Sequence, residues 1–420
     1  MEFGPTWYGQ VDSGQLGYFL GALGDLDGDG TGEFWAAALF DPTVGVFGGS
    51  VRVMTAASTS DLADSATVFP DVERTFLGVS VAAGPDTDGN GYLEVAIAGD
   101  GHLDGRGAVW ILDASQLVPG AELTLPGGSQ ASISGEEPST YLGHALAALP
   151  DFHGDGTAVL AVGVPSASPA DTPASGRVDF FAWDSGGALT PGEGEGGLDG
   201  YYAGSELGVG IESLPDIDGD GLPDYLVRSA SGDLAVILPG GVSRPTLPDD
   251  ALYRVTGTGA GESGTCTLLG DVDGDGDRDL GCASVGAAWV FTTVQSSPLV
   301  TVDDREFTLA AESETVRGLV DIGDADGDLL SETLFSTCDG PGGLGHIGIL
   351  LGAALDSADT IGVADVALAA AANDETARSG FATAVVPAAA AHDSYAIVGG
   401  PSADSAGSDR GGVAAIPIPR

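Results

Sequence analysis

Short apolar runs recur along the whole chain and are separated by glycine, proline and acidic residues. One such run is Ala145-Leu-Ala-Ala-Leu149, and the next two are Leu160-Ala-Val-Gly-Val-Pro165 and Gly176-Arg-Val-Asp-Phe-Phe181. Short runs that are rich in Val and aromatic residues and bounded by Gly or Pro are typical of β-strands. The pattern predicts repeated units, each with a strand, an acidic loop, a second strand, a Gly-rich loop, a third strand and a variable fourth strand.

The acidic loops make the repeat visible. A nine-residue pattern rich in Asp and Gly recurs six times, at 25–33, 86–94, 151–159, 216–224, 271–279 and 324–332. In the first four units a Leu-Gly pair precedes it, as in Leu16-Gly17 and Leu77-Gly78, whereas units five and six have Ser263 and Val316 in place of the glycine. Successive copies begin 53 to 65 residues apart, and a period near 60 fits one four-stranded blade of a propeller with long loops.

A seventh, degenerate unit follows, in which the segment near 388–395 replaces the acidic loop. It supplies strands at Ile397–Pro401 and Gly412–Pro417 but no fourth strand, and Thr6–Val11 at the N-terminus is the candidate to complete it. A ring closed in this way leaves no unpaired sheet edge. We therefore predict an all-β fold over residues 1–420, a single seven-bladed β-propeller with four-stranded antiparallel blades, closed by an N-terminal strand in the last blade.

The charge of the chain narrows the choice of partners. Asp and Glu number 62 against 13 basic residues, all of them Arg, which gives a net charge of −49, yet 43% of residues are hydrophobic. Such a balance argues against nucleic acid and anionic membranes, which bind cationic surfaces, and favours cations. Apolar runs long enough to span a bilayer are missing, so we expect no membrane insertion. The start, Met1-Glu2-Phe3-Gly4, does not have the pattern of a signal peptide.

The acidic loops have the composition of calcium sites. Ca²⁺ takes about six to eight oxygen ligands, which carboxylates at loop positions 1, 3, 5 and 9 and the backbone carbonyl at position 7 can supply. The Gly residues at positions 4 and 6 allow the tight turn. The predicted ligands of the five fuller loops are Asp25, Asp27, Asp29, Thr31, Glu33; Asp86, Asp88, Asn90, Tyr92, Glu94; Asp216, Asp218, Asp220, Leu222, Asp224; Asp271, Asp273, Asp275, Asp277, Asp279; and Asp324, Asp326, Asp328, Leu330, Glu332.

Loops three and six depart from this composition. Loop three keeps only Asp151 and Asp155, because His153 and Val159 replace the other acids, so we expect weak or absent binding there. Loop six has Leu329 in place of the second glycine, which threatens strain in the turn. We expect about five Ca²⁺ ions, with loop three as a potential sixth site, and a structural role for the metal.

An EF-hand is the main alternative for such loops, and it requires a bidentate Glu at position 12 together with flanking helices. Here position 12 is occupied by Ala36, Ile97, Val162, Val227, Cys282 and Phe335. These residues belong to the predicted second strands, so the EF-hand is excluded.

Other chemistry is sparse in the sequence. Cys266 and Cys282 fall on adjacent predicted strands, where they are either small core residues or a disulfide. The five His are scattered, and neither a His-Glu-x-x-His motif nor a Gly-x-Ser-x-Gly elbow is present. We therefore expect no enzyme, although the many carboxylates leave an enzyme acting on polysaccharide open.

The Leu-Gly, acidic-loop and Gly-Pro elements together resemble the FG-GAP repeat family, in particular the N-terminal β-propeller of integrin α subunits. The resemblance implies an extracellular or cell-surface adhesion module whose strand 1–2 loops bind Ca²⁺ on one face. It also implies that protein or glycan ligands engage the opposite face. The absence of Lys, the charge of −49 and the Ala-rich strands look more like a bacterial relative, and we expect a monomer. A purely structural surface component is a further alternative.

Aromatic residues of the fourth-to-first-strand connections lie on the predicted ligand face. They are Trp7, Tyr8, Tyr141, Tyr201 and Tyr202. Either these rings are exposed and contact a ligand, or they pack between blades; the ligand-binding residues themselves stay unknown at this point.

Overall fold

A computed structural model of the chain describes most of the sequence. The described residues are 6–55, 62–183, 187–190, 193–231, 233–256, 265–291, 299–301, 307–324, 327–338, 346–352, 360–362, 368–371, 382–386, 395–400 and 412–417. No helix among them is long and apolar enough to cross a membrane.

The described residues form thirty strands. Those of the first two units are β1 (Thr6–Tyr8), β2 (Leu16–Gly24), β3 (Glu33–Ala38), β4 (Ser50–Thr55), β5 (Ala66–Phe69), β6 (Leu77–Ala83), β7 (Glu94–Gly99), β8 (Ala108–Asp113), β9 (Glu122–Thr124) and β10 (Ala131–Ser134). Those of the next two are β11 (Leu146–Leu149), β12 (Val159–Val164), β13 (Arg177–Ala182), β14 (Gly187–Leu189), β15 (Gly196–Asp199), β16 (Gly210–Ser213), β17 (Tyr225–Arg228), β18 (Asp233–Leu238) and β19 (Tyr253–Thr256).

The remaining strands belong to the C-terminal units. They are β20 (Thr265–Leu268), β21 (Leu280–Phe291), β22 (Leu299–Thr301), β23 (Phe307–Gly323), β24 (Glu332–Cys338), β25 (His346–Leu350), β26 (Thr360–Gly362), β27 (Leu368–Ala371), β28 (Ala382–Val386), β29 (Tyr395–Gly400) and β30 (Gly412–Pro417). Helical structure in the described residues is limited to single turns at His102–Gly105, Leu62–Asp64, Ala114–Gln116 and Pro169–Asp171.

These strands build the six sheets, or blades, of an all-β propeller. Four blades have antiparallel cores of four strands, in the orders β2-β3-β4-β5, β6-β7-β8-β10, β11-β12-β13-β15 and β16-β17-β18-β19. A short strand from the next unit adds in parallel to three of them, β9 on β5, β14 on β10 and β22 on β19. The second, third and fifth units therefore also extend the preceding blade.

The prediction of seven blades is wrong. The units predicted as the fifth and sixth blades share one seven-stranded sheet, β20-β21-β23-β24-β25-β27 with β26 alongside β23. One half of β23 pairs with β21, as Leu309 does with Ala288, and the other half pairs with β24, as Leu319 does with Phe335. A single continuous strand thus replaces the connection that separates other blades.

The physical reason lies in the residue that replaces glycine in unit six. Gly17 and Gly78 have φ of 85° and 93°, and the register of the first strand shifts beside each of them. The β-branched Val316 is poorly suited to positive φ, and at that point β23 continues without a break. Val316 is fully buried in the merged sheet.

The last blade has the order β28-β29-β30-β1 and contains the N-terminal strand. β1 pairs antiparallel with β30, so that Trp7 lies opposite Val413. The predicted pairing of the N-terminus with the last blade is therefore present. β2 of the first blade also contacts β28 and β29, so the two ends of the chain meet.

The hydrophobic core lies between neighbouring blades. Between the first two blades, for example, Leu23, Trp35 and Val53 pack with Ile97 and Trp110. The other clusters join the second blade to the third, the third to the fourth, the fourth to the merged sheet, and the last to the first. Because the core lies between the sheets, the loops at the two ends of the strands form the two exposed faces of the propeller.

Candidate metal centres

The six acidic loops connect the first and second strands of their units, as predicted. Their hairpins are β2–β3, β6–β7, β11–β12, β16–β17, β20–β21 and β23–β24. In antiparallel units, these loops and the connections between the second and third strands leave opposite ends of the sheet. The acidic loops therefore share one face of the propeller, and the Gly-rich loops lie on the other.

All six loops share two internal hydrogen bonds. The N–H of position 6 donates to the carboxylate of position 1 at 2.6–3.1 Å, as from Gly30 to Asp25, and this holds even where Leu329 occupies position 6. The N–H of position 7 donates to the side chain of position 5 at 2.7–3.0 Å. The repeated sequence therefore encodes one repeated loop conformation.

The acid at position 9 is buried in each of the five loops that have one. The exposed fraction is 9% for Glu33, 1% for Glu94 and Asp224, and zero for Asp279 and Glu332. In four loops this carboxylate accepts a hydrogen bond from the N–H of position 2, at 2.7–2.9 Å. The position 9 acid thus ties the two ends of the loop together beneath the exposed acids.

Three loops bring several carboxylates close together. Among the described residues, one oxygen from each member of three groups lies within 4.8 Å of the others; the groups are Asp25, Asp27, Asp29; Asp216, Asp218, Asp224; and Asp271, Asp273, Asp279. Loops one, four and five are therefore the strongest candidate centres.

A cation fits the unmatched donors and acceptors of these loops. Oδ1 of Asp25 and Oδ1 of Asp279 are buried and have no hydrogen-bond donor among the described residues. A buried carboxylate oxygen without a partner is costly unless a cation or a proton neutralises it. Asp25 and Asp279 are both members of the clusters just described, so a cation there would supply the partner that the protein does not.

The pKa values of the position 9 acids also indicate repulsion between the carboxylates. Burial, together with the neighbouring charges of Asp27 and Asp29, raises the pKa of Glu33 to about 7. Burial likewise raises the pKa of Asp279 to about 7, with Asp273 among its repelling neighbours. Without a cation, closely spaced carboxylates resist full ionisation, and a divalent ion would relieve this repulsion.

Loop two differs from loops one, four and five. Asn90 at position 5 donates to Asp113 Oδ2 at 2.5 Å, and Asp113 lies directly opposite Glu94 in the strand pair β7–β8. Both oxygens of Glu94 accept hydrogen bonds from Thr87, at 2.7 and 2.9 Å. The acids of this loop are thus largely matched by protein donors. Sequence comparison of the loops alone missed Asp113, although the Asn in place of Asp was a signal that another acid lies nearby.

Loop three is also stabilised internally. Thr157 donates from both its N–H and its hydroxyl to Asp155, at 3.0 and 2.6 Å. His153, which replaces an acid, has its Nε2 3.6 Å from a carboxylate oxygen of Glu195. Its turn therefore has partners without a metal, and weak binding there stays a prediction.

Loop six shows the strain that the sequence indicated. Leu329 has φ of 79° and an exposed fraction of 84%, so it takes the glycine conformation without gaining packing. Asp326, a predicted ligand, lies outside the described residues. The degenerate segment near 388–395 also lies outside them, apart from Tyr395 at the start of β29.

Neighbouring acidic loops are joined by backbone hydrogen bonds. The N–H of Leu93 in loop two donates to the carbonyl of Leu26 in loop one at 3.0 Å, and the N–H of Ser331 in loop six donates to the carbonyl of Asp271 in loop five at 2.7 Å. Leu93 and Ser331 each directly precede a position 9 acid. Order in one loop is thus linked to order in the next.

The predicted aromatic residues of the opposite face divide into two kinds. Trp7 is fully buried, with its ring 5.4 Å from that of Phe34. Tyr8, Tyr141 and Tyr202 expose 49%, 39% and 47% of their surfaces. Trp7 therefore packs between blades, which was one of the two alternatives. The three tyrosines are instead accessible on the loop face, which was the other.

Cys266 and Cys282 form a disulfide in β20 and β21, at directly opposed positions. The pair lies just outside loop five, between the hairpin's core residues. It resolves the alternative left open by the sequence.

No protein-family model matches the sequence, so the FG-GAP resemblance stays a prediction. The structure is similar to a crystal structure of BBS1N in complex with ARL6DN, soaked with lead. The TM-score is 0.51 and the sequence identity 10%, over 99% of this chain and 97% of that one. The likeness shows a β-propeller fold. At this identity it carries no statement about ligands.

Proposed function

We propose that this β-propeller is a calcium-stabilised binding module, with Ca²⁺ in the acidic loops and a protein or glycan ligand on the opposite face. The observation that carries the metal proposal is the pair of buried, unpartnered oxygens, Asp25 Oδ1 and Asp279 Oδ1, within clusters of three carboxylates. Calcium suits such sites because it accepts irregular sets of oxygen ligands, whereas Mg²⁺ demands a near-octahedral set and keeps its waters.

The proposed sites are graded. Loops one, four and five have close carboxylates among the described residues, whereas the acids of loop two already have protein donors. Loop six keeps the turn of the others with its buried Glu332. We expect loops one, four and five to bind Ca²⁺ best, loops two and six less tightly, and loop three poorly.

The role of the metal would be structural. Each loop closes the hairpin of the first two strands, and a bound ion stabilises only the folded chain. Extracellular calcium modules have Kd values of about 10⁻⁴–10⁻³ M, so one site at about 10 mM Ca²⁺ contributes roughly 1.4–2.7 kcal/mol by mass action. We propose a location outside cells or at the cell surface, where calcium at mM concentrations would fill sites of that affinity.

Thermal unfolding in EDTA and in excess Ca²⁺ tests the metal proposal. We expect Ca²⁺ to raise the melting temperature of the wild type and to raise it less in Asp25→Asn. Asp151→Asn in loop three is the matched control, because it changes the same position 1 acid, which accepts a hydrogen bond from the same position 6 N–H, in a loop where we expect little binding. Equal melting temperatures with and without Ca²⁺ would show that the loops are not metal sites.

The binding role has separate support. The similar structure, BBS1N, is a propeller domain crystallised with a protein, ARL6DN, and the face opposite the acidic loops exposes aromatic side chains here. An adhesive function and a bacterial origin remain hypotheses that rest on the FG-GAP resemblance.

A further inference from the structure

The connections that lead into the first strands share an unusual backbone conformation. The residue directly before each Leu-Gly pair has positive φ although none is glycine: 56° at Gln15, 51° at Phe76, 59° at Tyr141 and 52° at Glu206. The N–H groups of the last three donate to carbonyls of the preceding unit, at 2.8–3.1 Å. Because the conformation recurs in four units, it is a requirement of the blade connection and not of any one side chain.

The backbone conformation therefore does not explain which side chain occupies this position. Left-handed backbone costs a bulky residue roughly 1–2 kcal/mol and is best tolerated by Gly or Asn. Two successive units nevertheless have Phe76 and Tyr141 there. The fold does not need aromatic rings there, since Gln15 and Glu206 adopt the same positive φ at the equivalent positions.

The two rings frame a cleft on the face opposite the acidic loops. A glycine lies beneath each ring, Gly101 under Phe76 and Gly105 under Tyr141, and a Cβ at either glycine would lie within 3.1 Å of the ring. Leu103 lies in the turn between these two glycines and lines the same cavity as the two rings. The cleft measures about 420 Å³, and we call it the aromatic cleft.

Apolar surface is concentrated around the aromatic cleft. Leu103 exposes 57% of its surface and Tyr141 39%. Beside them, the ring of Phe47, itself 44% exposed, stacks on Phe76 at 5.4 Å, next to Val46 at 52%. Exposed apolar groups that lie together mark sites of interaction on folded proteins more often than isolated ones do.

Charge indicates the chemistry of the partner. Glu73 and Asp104 line the aromatic cleft together with one cation, Arg74, and the chain as a whole carries −49. A partner with basic side chains around an apolar one is therefore attracted to this surface, whereas an acidic partner is repelled. Aliphatic Leu103 and Val46 favour a peptide side chain over a sugar, which is recognised mainly by flat aromatic faces and polar groups.

We propose that the aromatic cleft docks a protein segment that inserts an apolar side chain between Phe76, Leu103 and Tyr141 and places Lys or Arg near Glu73 and Asp104. The proposal rests on the binding role proposed above and names its site and partner class. It does not depend on Ca²⁺ being bound.

A phage-displayed library of random short peptides, selected on the intact chain, is the probe. Selected peptides are synthesised, and their Kd is measured for the wild type, Leu103→Asn and Tyr141→Asn. Asn fits left-handed backbone, so both changes remove apolar surface without adding strain. Glu206→Asn is the matched control, because it alters the equivalent left-handed position outside the aromatic cleft.

We expect selected peptides to combine Lys or Arg with Leu, Ile or Phe, and to bind the two cleft variants at least roughly tenfold more weakly. Binding to Glu206→Asn should match the wild type. A third variant, Asp104→Asn, retains the apolar cleft, and it should reduce the weakening of binding between about 0.05 M and about 0.5 M NaCl.

Three results overturn the proposal: peptides that bind the cleft variants as well as the wild type, selected peptides without basic residues, or no binding peptides at all. Retention of the chain on a glycan array, lost in Tyr141→Asn, would replace the protein partner by a sugar. Calcium-dependent melting is measured in parallel, so that failure of the metal sites and failure of the aromatic cleft are told apart.

Discussion

Replacing Trp7 by Ala should remove most of the attachment of the N-terminal strand. β1 has only three residues, and its pairing with β30 involves three Cα partners. Trp7 is fully buried in the cluster that also contains Leu16 and Val413. A buried Trp covers roughly 150–250 Å², worth about 4–6 kcal/mol at 25 cal/mol per Å², and measured Trp→Ala changes are about 3–5 kcal/mol. We expect the free energy of unfolding to fall by about 3–5 kcal/mol.

Urea denaturation followed by far-UV circular dichroism measures this change. Tyr8→Ala is the control, because Tyr8 is the next residue of the same strand but half exposed; its cost should stay below about 1 kcal/mol. Equal effects of Trp7→Ala and Tyr8→Ala, or a loss of less than about 1 kcal/mol in Trp7→Ala, would refute closure of the propeller by β1.

Three further predictions follow from particular side chains. Leu329→Gly should raise the free energy of unfolding by about 0.5–1 kcal/mol, because glycine relieves the positive φ and the exposed Leu loses no packing; a decrease in a urea titration would contradict this. Burial raises the pKa of Glu212 to about 7 although the Thr267 hydroxyl donates to it, so the folded state holds the proton longer than the unfolded state does. Stability should therefore fall as pH rises from about 4.5 to about 7, and comparison of urea titrations at both pH values should show a smaller fall in Glu212→Gln. Replacing Cys266 and Cys282 by Ala opens a loop of 16 residues and should cost about 3 kcal/mol; an unchanged melting temperature would argue against the disulfide.

Most elements of the fold were accessible from the sequence because each unit repeats its local chemistry. The acidic loop marks the turn between the first two strands, and the Leu-Gly pair marks the entry to a unit. The number of blades was predicted wrongly because it depends on whether successive units separate. Val316 in place of glycine was visible, but its consequence, a strand that runs on from Phe307 to Gly323, depends on pairing with β21 and β24 in space.

The candidate sites were predictable to different degrees. The loop acids form one continuous pattern in the sequence, so their residues could be named in advance. Which acids lack a partner could not, because it depends on cross-strand neighbours such as Asp113 and on burial. The aromatic cleft combines residues from three units, and its tyrosine was among the aromatic residues named from the sequence. Phe76 directly before Leu77-Gly78, and Leu103 within a polar loop, were the signals that could have indicated it.

The continuous strand β23 has a consequence for local opening of the propeller. In repeat proteins each unit contacts only its neighbours, so units can open one at a time. β23 instead carries ladder hydrogen bonds to β21 along one half and to β24 along the other, and releasing it exposes the amides of both units together. The merged sheet should thus behave as a single foldon, in which amide protons of β21 and β24 exchange with solvent at one common free energy.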